Sequence, residues 1–449
     1  MSITSTEDTA ERLARLEQTI EDLLSEAKRL GASAAEAAVG SSAGLEVGVR
    51  LGEVETVEHT RDNGLGITVY FGHRKGSSST TDLSPDSLRA AVKAACAIAV
   101  HTQEDPCAHL ADPSLMARDV LDLDLYHPWP IGVEAAIAIA AECEDAARGF
   151  DARIVNSEGA SLSAHCGLQV YGNSHGFVGG YPSTRHGLSC AVIGEEGDTM
   201  QRDYWWTSAR AAGELEPARL VGERAAARTV ARLGGRQLDT CKAPVLFRAE
   251  VATGLVRSLV SAISGGSLYR RASFLLDHLG ERIFPEFVRI HEQPHLPRGL
   301  ASAPFDGDGV ATWAKDLVSE GVLRTYVLDA YSGCRLKMPT TGNAGGVRNL
   351  VVAMGERDRA GMLKLMGTGL FVTELMGHGV NAVTGDYSRG AAGFWVENGE
   401  IQYPVEEITI AGNLKTMFAG LVAVGNDCDF PGSTRTGSWL IEEMTIAGQ

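Results

Sequence analysis

Apolar residues return every three or four positions near the start of the chain: Leu13, Leu16, Ile20, Leu23, Leu24, Ala27 and Leu30. That spacing predicts a helix over residues 7–30, closed by Gly31, where a C-cap glycine belongs. The rhythm then changes to alternation. LEVGVRLGEVETVE predicts a hairpin turning at Leu51-Gly52, and GLGITVYFG predicts a further strand. Ser84-Pro85-Asp86 has the form of a helix start, with Ser84 as N-cap and Pro85 in the first turn. A second alanine-rich helix is expected over 132–148. Glycine-rich strand material follows from Ile154 to Ile193. EPARLVGERAAARTVARL then reads as a long helix that stops at Gly234-Gly235.

That glycine pair is the natural boundary, giving an N-terminal α/β domain over 1–235 and a C-terminal β-rich domain over 241–449. After a helix over about 249–264, the pattern turns to short strands punctuated by glycine: GVLRTYVLDAYSG, GLFVTELMG, GAAGFWVENGEIQYPV and GSWLIEEMTIAG. Such punctuation suggests a closed or strongly curved antiparallel sheet. The fold class expected is α+β, with an α/β portion followed by a barrel-like domain. Glu406–Gly412 and Glu442–Gly448 are near copies, EEITIAG and EEMTIAG. A single repeat is no solenoid, and the two read as similar strands of one sheet.

Composition changes the picture modestly. The chain has 449 residues, enough for two or three domains. Its formal net charge of −17 repels phosphate backbones, which argues against direct nucleic-acid binding. Arg270-Arg271 reads as ordinary surface. The acidic start, MSITSTEDTAERLARLEQ, lacks the apolar core of a signal peptide. No apolar run reaches the length of a membrane helix, so no membrane partner is expected. The eight cysteines are scattered singly and predict reduced thiols in a cytoplasmic setting.

One segment carries apparent chemistry. RIHEQPHLP holds His291, Glu292 and His295 in the H-E-x-x-H order of zinc metallopeptidases. That motif needs an unbroken helix, so that residues i and i+4 share a face. Pro294 stands inside it, lacking an N–H and clashing with the preceding turn. EFVRI, with its β-branched residues, favours a strand running into a proline-rich loop. Two surface histidines are therefore expected, and an autonomous zinc peptidase using this triplet is the alternative. Asp306-Gly-Asp308-Gly opens like a calcium loop, but Val310 and Leu317 stand where ligands belong, so a turn is expected. Asp386, Arg389 and Glu397 could form a polar site around Phe394 and Trp395, with a turn and a sheet face as the plainer reading.

The run NAVTGDYSRGAAGFWVENGEIQYPVEEITIAGNL, from Asn381 to Leu414, resembles the PmbA/TldE branch of the TldD/PmbA family. SAPFDGDGV, GVLRTYVLDAYSGCRL and STRTGSWLIEEMTIAG are similar too, in the same order. The resemblance spans essentially the whole chain. It implies an N-terminal α/β part, a barrel-like C-terminal domain, dimers, and metal-dependent cleavage of short or unfolded peptides. In that family the TldD subunit carries its metal on a helix early in the C-terminal domain, with a later cysteine ligand. The matching stretch here, Ala252 to Arg271, has no His, Glu, Asp or Cys. Thr436 stands where the thiol is sought, and Cys428 is assigned no role. The resemblance thus implies no metal or other cofactor on this chain, and zinc on a TldD-type partner. This chain would complete the substrate chamber, with Asp386, Arg389, Phe394 and Trp395 as groove candidates. A homodimer is expected when it is isolated, and a non-enzymatic regulator is the remaining alternative.

Overall fold

The computed structural model describes residues 9–448. The first part contains α1 (Thr9–Arg29), β1 (Ala34–Arg50), β2 (Glu53–Phe71), β3 (Arg74–Thr80), α2 (Pro85–His101), α3 (Val133–Arg148), β4 (Ile154–Asn173), β5 (Val178–Glu196), β6 (Thr199–Ala209) and α4 (Ala218–Ala231). The strands form one antiparallel sheet in the order β3-β2-β1-β4-β5-β6. α1 buries Leu16, Ile20, Leu23 and Ala27 against Ala35, Ala37 and Val39 of β1. These belong to the apolar repeat of the sequence; positions 7 and 8 of the expected helix lie outside the described residues. The hairpin turns at Leu51 and Gly52, both with positive φ (54° and 80°), as a two-residue turn matched to strand twist requires. Its N–H groups donate to the fully buried Glu144 of α3 at 2.7 and 2.9 Å.

Three local expectations are corrected. GLGITVYFG is no separate strand; β2 runs on through Gly64 and Gly66, paired with Gly40 and Ala38. The helix α2 does start at Pro85, but the Ser84 hydroxyl donates to Asp82 and makes no cap bond. The expectation of scattered thiols also fails at one pair. Cys107, after α2, and Cys334 are joined by a disulfide, although 227 residues separate them. Only the tertiary fold brings that pair together, so spacing could not reveal it.

The second part contains β7 (Cys241–Phe247), α5 (Ala249–Ala262), α6 (Gly265–Tyr269), β8 (Ile290–Gln293), β9 (Lys315–Ser319), β10 (Val322–Leu323), α7 (Ala330–Leu336), β11 (Asn349–Val352), α8 (Arg359–Met366), β12 (Gly369–Met376), β13 (Asp386–Glu397), β14 (Glu400–Asn413), α9 (Leu414–Ala419), β15 (Leu421–Val424), β16 (Thr434–Arg435) and β17 (Trp439–Ala447). Strands pair in the order β14-β13-β12-β7-β17, and β14 also pairs with β17, which closes a five-stranded barrel. The repeated segments are the closing pair: Thr409, Ile410 and Ala411 lie opposite Ala447, Ile446 and Thr445. Alternation along β7 sends Val245 and Phe247 to the core shared with α5, and Leu246 to the cluster shared with α8. β8, β9, β10, β11 and β16 form a smaller second sheet. GVLRTYVLDAYSG is only partly strand. After Leu323 the chain leaves the sheet, and Asp329 caps α7 through a reciprocal pair of bonds with Ser332. Among the described residues no helix is long and apolar enough to cross a membrane.

Candidate functional site

His291 and Glu292 lie on β8, between β9 and β11, and His295 follows in a turn. A strand sends neighbours to opposite faces, so His291 and Glu292 diverge. Glu292 is fully buried. Its carboxylate accepts the Asn343 amide at 2.9 and 3.1 Å and the Arg348 backbone N–H at 2.6 Å, and pairs with Lys315 Nζ at 2.9 Å. His291 Nδ1 meets Asp316 Oδ1 at 2.6 Å, and Arg289 Nε donates to the same oxygen at 2.9 Å. Burial raises the Asp316 carboxyl, but the bonds from Arg289 and His291 outweigh it and leave the pKa lowered. His295 Nε2 lies 2.9 Å from Thr312 Oγ1, whose hydroxyl donates to Ala303 O. The hydroxyl proton being spent, Nε2 is the donor. Burial holds the His295 imidazole below its ordinary pKa. Each side chain of the triplet thus has its own partner, and the three face no common point.

The groove candidates lie on β13 and are not gathered into one site. Asp386 accepts from Thr384 Oγ1 and Asn413 Nδ2, which lower its pKa. The Arg389 Nε–H points to Met376 O at 3.4 Å. Phe394 packs against Phe371 on one face, whereas Trp395 packs against the main core and donates to Glu397.

A cleft that the sequence did not signal lies where the first sheet meets the loops around 300–307 and 344–348. Its volume is about 520 Å³. The floor is a row of residues in register across four strands, Gly64, Gly40, Gln169 and Tyr181. A Cβ at Gly64 would meet nothing within 4 Å, so the floor is open. Phe305 and Tyr181 form an edge-to-face pair at 5.6 Å on one wall. Arg210 and Arg348 supply the positive charge. The loop 306–310 is the turn expected of Asp306-Gly-Asp308-Gly. Asp306 accepts N–H groups of Asp308, Val310 and Ala344 at 2.9–3.0 Å. Glu292 and Asp306 therefore both anchor the 343–348 loop. The glutamate of the apparent zinc motif acts as a strut for the cleft wall.

Models of the PmbA/TldA metallopeptidase family match three successive stretches: domain 1 over 35–99, the central domain over 126–233 and the C-terminal domain over 240–448. The chain belongs to the PmbA/TldD metallopeptidase family. The metalloprotease PmbA of Escherichia coli O157:H7 is 54% identical over 415 residues, 92% of each chain. A PmbA homolog of Haemophilus influenzae is 49% identical over 96% of each. A solved structure from Bacteroides thetaiotaomicron, named as a candidate modulator of DNA gyrase, superimposes with a TM-score of 0.91 at 28% identity. It covers 97% of this chain and 99% of its own. TldE from Thermococcus kodakarensis shares the fold, with a TM-score of 0.83 at 20% identity over 96% of this chain and 100% of that one.

The metal that the family's name implies does not fit the donors present. Residues 252–271 form most of α5 and all of α6. Ala252, Leu255, Val256, Leu259 and Ala262 of α5 are buried in the core. The polar side chains there are hydroxyls and arginines, neither of which makes a zinc site. Thr436 is fully buried, and its oxygen accepts from Trp439 Nε1 at 2.8 Å. Among the described residues no three His, Cys, Asp or Glu side chains are grouped to hold a metal ion.

Proposed function

We propose that this chain is the metal-free subunit of a two-subunit metallopeptidase acting on short or unfolded peptides. A TldD-type subunit supplies the zinc and the general base. This chain completes the substrate chamber and holds the peptide. The observation that carries the reading is the donor set of residues 252–271, the stretch that the resemblance pairs with a metal-bearing helix: it holds hydroxyls, arginines and apolar groups and no His, Glu, Asp or Cys. The open floor of the first sheet and the cleft at its end support a peptide-holding role. The proposed setting is the cytoplasm, where the Cys107–Cys334 bridge is open to reduction. In isolation the chain is proposed to form homodimers.

Copurification tests the reading. Tagged chain expressed with a TldD-type subunit is expected to draw that subunit down as a stable complex, with zinc in the complex and none on this chain alone. A chain that never associates with such a subunit, and leaves its peptidase activity unchanged, belongs instead to the class of non-enzymatic regulators.

A further inference from the structure

The cleft described above holds two guanidinium groups that, among the described residues, hydrogen-bond to no carboxylate. Arg210 is only 8% exposed. Its donors go to backbone carbonyls alone: Thr184 O and Leu300 O at 2.8 Å, and Gly299 O at 3.3–3.4 Å. Arg348 gives one bond, from Nη2 to Ala344 O at 3.3 Å, and its buried Nε has no hydrogen-bond partner. Among the described residues, no carboxylate lies within ion-pair distance of either group. Both sit close enough to Tyr181 to pull its phenol pKa down, against the larger upward push of burial. Arg185, nearby, adds further positive charge to the field at Arg210.

The acids of this region are already engaged. Asp306 lines the cleft and turns its oxygens to three backbone N–H groups; burial raises its carboxyl, and those bonds and the charge of Arg348, which makes no ion pair with it, work against that rise. Glu36 accepts the hydroxyls of Tyr70 and Tyr171. Asp308 accepts the Ala330 N–H. A chain of net charge −17 therefore keeps an electropositive cleft with unused guanidinium donors. Such a fork matches the planar, two-oxygen geometry of a carboxylate. Beside it, Tyr181 and Phe305 offer apolar surface to a neighbouring side chain.

We propose that this cleft binds a peptide carboxylate, with Arg348 as the docking cation, Arg210 as fixed background charge and Tyr181 and Phe305 as the apolar wall. The carboxylate comes from a chain terminus or from an Asp or Glu side chain. The peptide nature of the ligand rests on the subunit reading above. The carboxylate preference rests on the cleft alone.

The test is fluorescence anisotropy on the purified full chain with three dansyl probes. They are Ala-Ala-Leu as the free acid, the same peptide as its amide, and Ala-Glu-Leu amide. The free acid is expected to bind at least about tenfold more tightly than its amide, the size of one charge-assisted hydrogen-bond pair. Tight binding of Ala-Glu-Leu amide as well assigns the side-chain source; its failure assigns the terminus. Arg348→Gln should abolish the acid preference, and Arg348→Lys should keep part of it. If Arg348→Gln does not fold by circular dichroism, Ala38→Glu, at an exposed position of the cleft lining, should weaken the acid probe selectively. Equal binding of all three probes to the wild-type chain overturns the proposal. So does an acid preference that survives in folded Arg348→Gln. A chain with the acid preference that adds nothing to a TldD-type subunit's activity sinks the subunit reading and leaves this site standing. Restored activity without an acid preference does the reverse.

Discussion

Replacing Glu292 by alanine separates the strut from the zinc reading. The carboxylate is fully buried and serves the Asn343 amide, the Arg348 N–H and the Lys315 ammonium together. Lys315 is itself only 8% exposed in its side chain. Glu292→Ala therefore strands a buried cation and two buried donors. Breaking a buried pair from one side costs about 3–5 kcal/mol. The unmet donors do not add in full, because the loop relaxes. At roughly 2–4 °C per kcal/mol for a unit of about 200 residues, the barrel unit's thermal midpoint should fall by roughly 6–20 °C. The exposed edge behaves differently. His291 meets Asp316 near the surface, where Arg289 remains as a second partner. His291→Ala should cost about 1 kcal/mol or less. A zinc site would give both substitutions a comparable loss, together with loss of metal. Differential scanning calorimetry of both variants, with and without chelator, decides. A drop under about 2 °C for Glu292→Ala would refute the reasoning, as would a chelator-sensitive midpoint in the wild-type chain.

Three further outcomes are expected. Denaturing thiol titration without reductant should find the six unpaired cysteines, and all eight after reduction; eight without reductant removes the Cys107–Cys334 bridge. Burial pushes the Asp308 carboxyl up to about 7, so the folded state holds a proton there that the unfolded chain has released. Its stabilising contribution is whole below the unfolded carboxylate pKa and is lost as pH rises through about 7. Asp308→Asn should therefore melt progressively higher than wild type as pH goes from 5 to 8, and a constant gap would contradict this. Gly393→Ala should destabilise the barrel, because its Cβ would sit 2.0 Å from Phe371 O; an unchanged melting curve would refute the close approach.

Much of the architecture was readable because local rules and tertiary needs agree. The spacing of Leu16, Ile20, Leu23 and Ala27 marks one helix face, and that face is buried. Gly52 supplies one of the two positive φ angles a tight hairpin needs, and the echo at 406–412 and 442–448 marks two strands that do pair. The misses have physical causes. GLGITVYFG read as a separate strand, yet Gly64 and Gly66 lie inside β2, and Gly64 leaves open the floor of the cleft. Asp329 starts a helix inside a strand-like run because its cap bonds to Ser332 override the apolar pattern. Arg210 and Arg348 carry no local motif; register across the sheet and the anchors Glu292 and Asp306 bring them to one cleft. His291, Glu292 and His295 show the converse, a complete motif whose backbone is a strand and a turn.

The most direct test of the central claim is a peptidase assay on an unfolded peptide substrate, with this chain alone, a TldD-type subunit alone, and the two mixed. This chain alone is expected to cleave nothing, the mixture to cleave well above either component, and chelator to abolish that cleavage. Cleavage by this chain alone that is lost on chelation would contradict it.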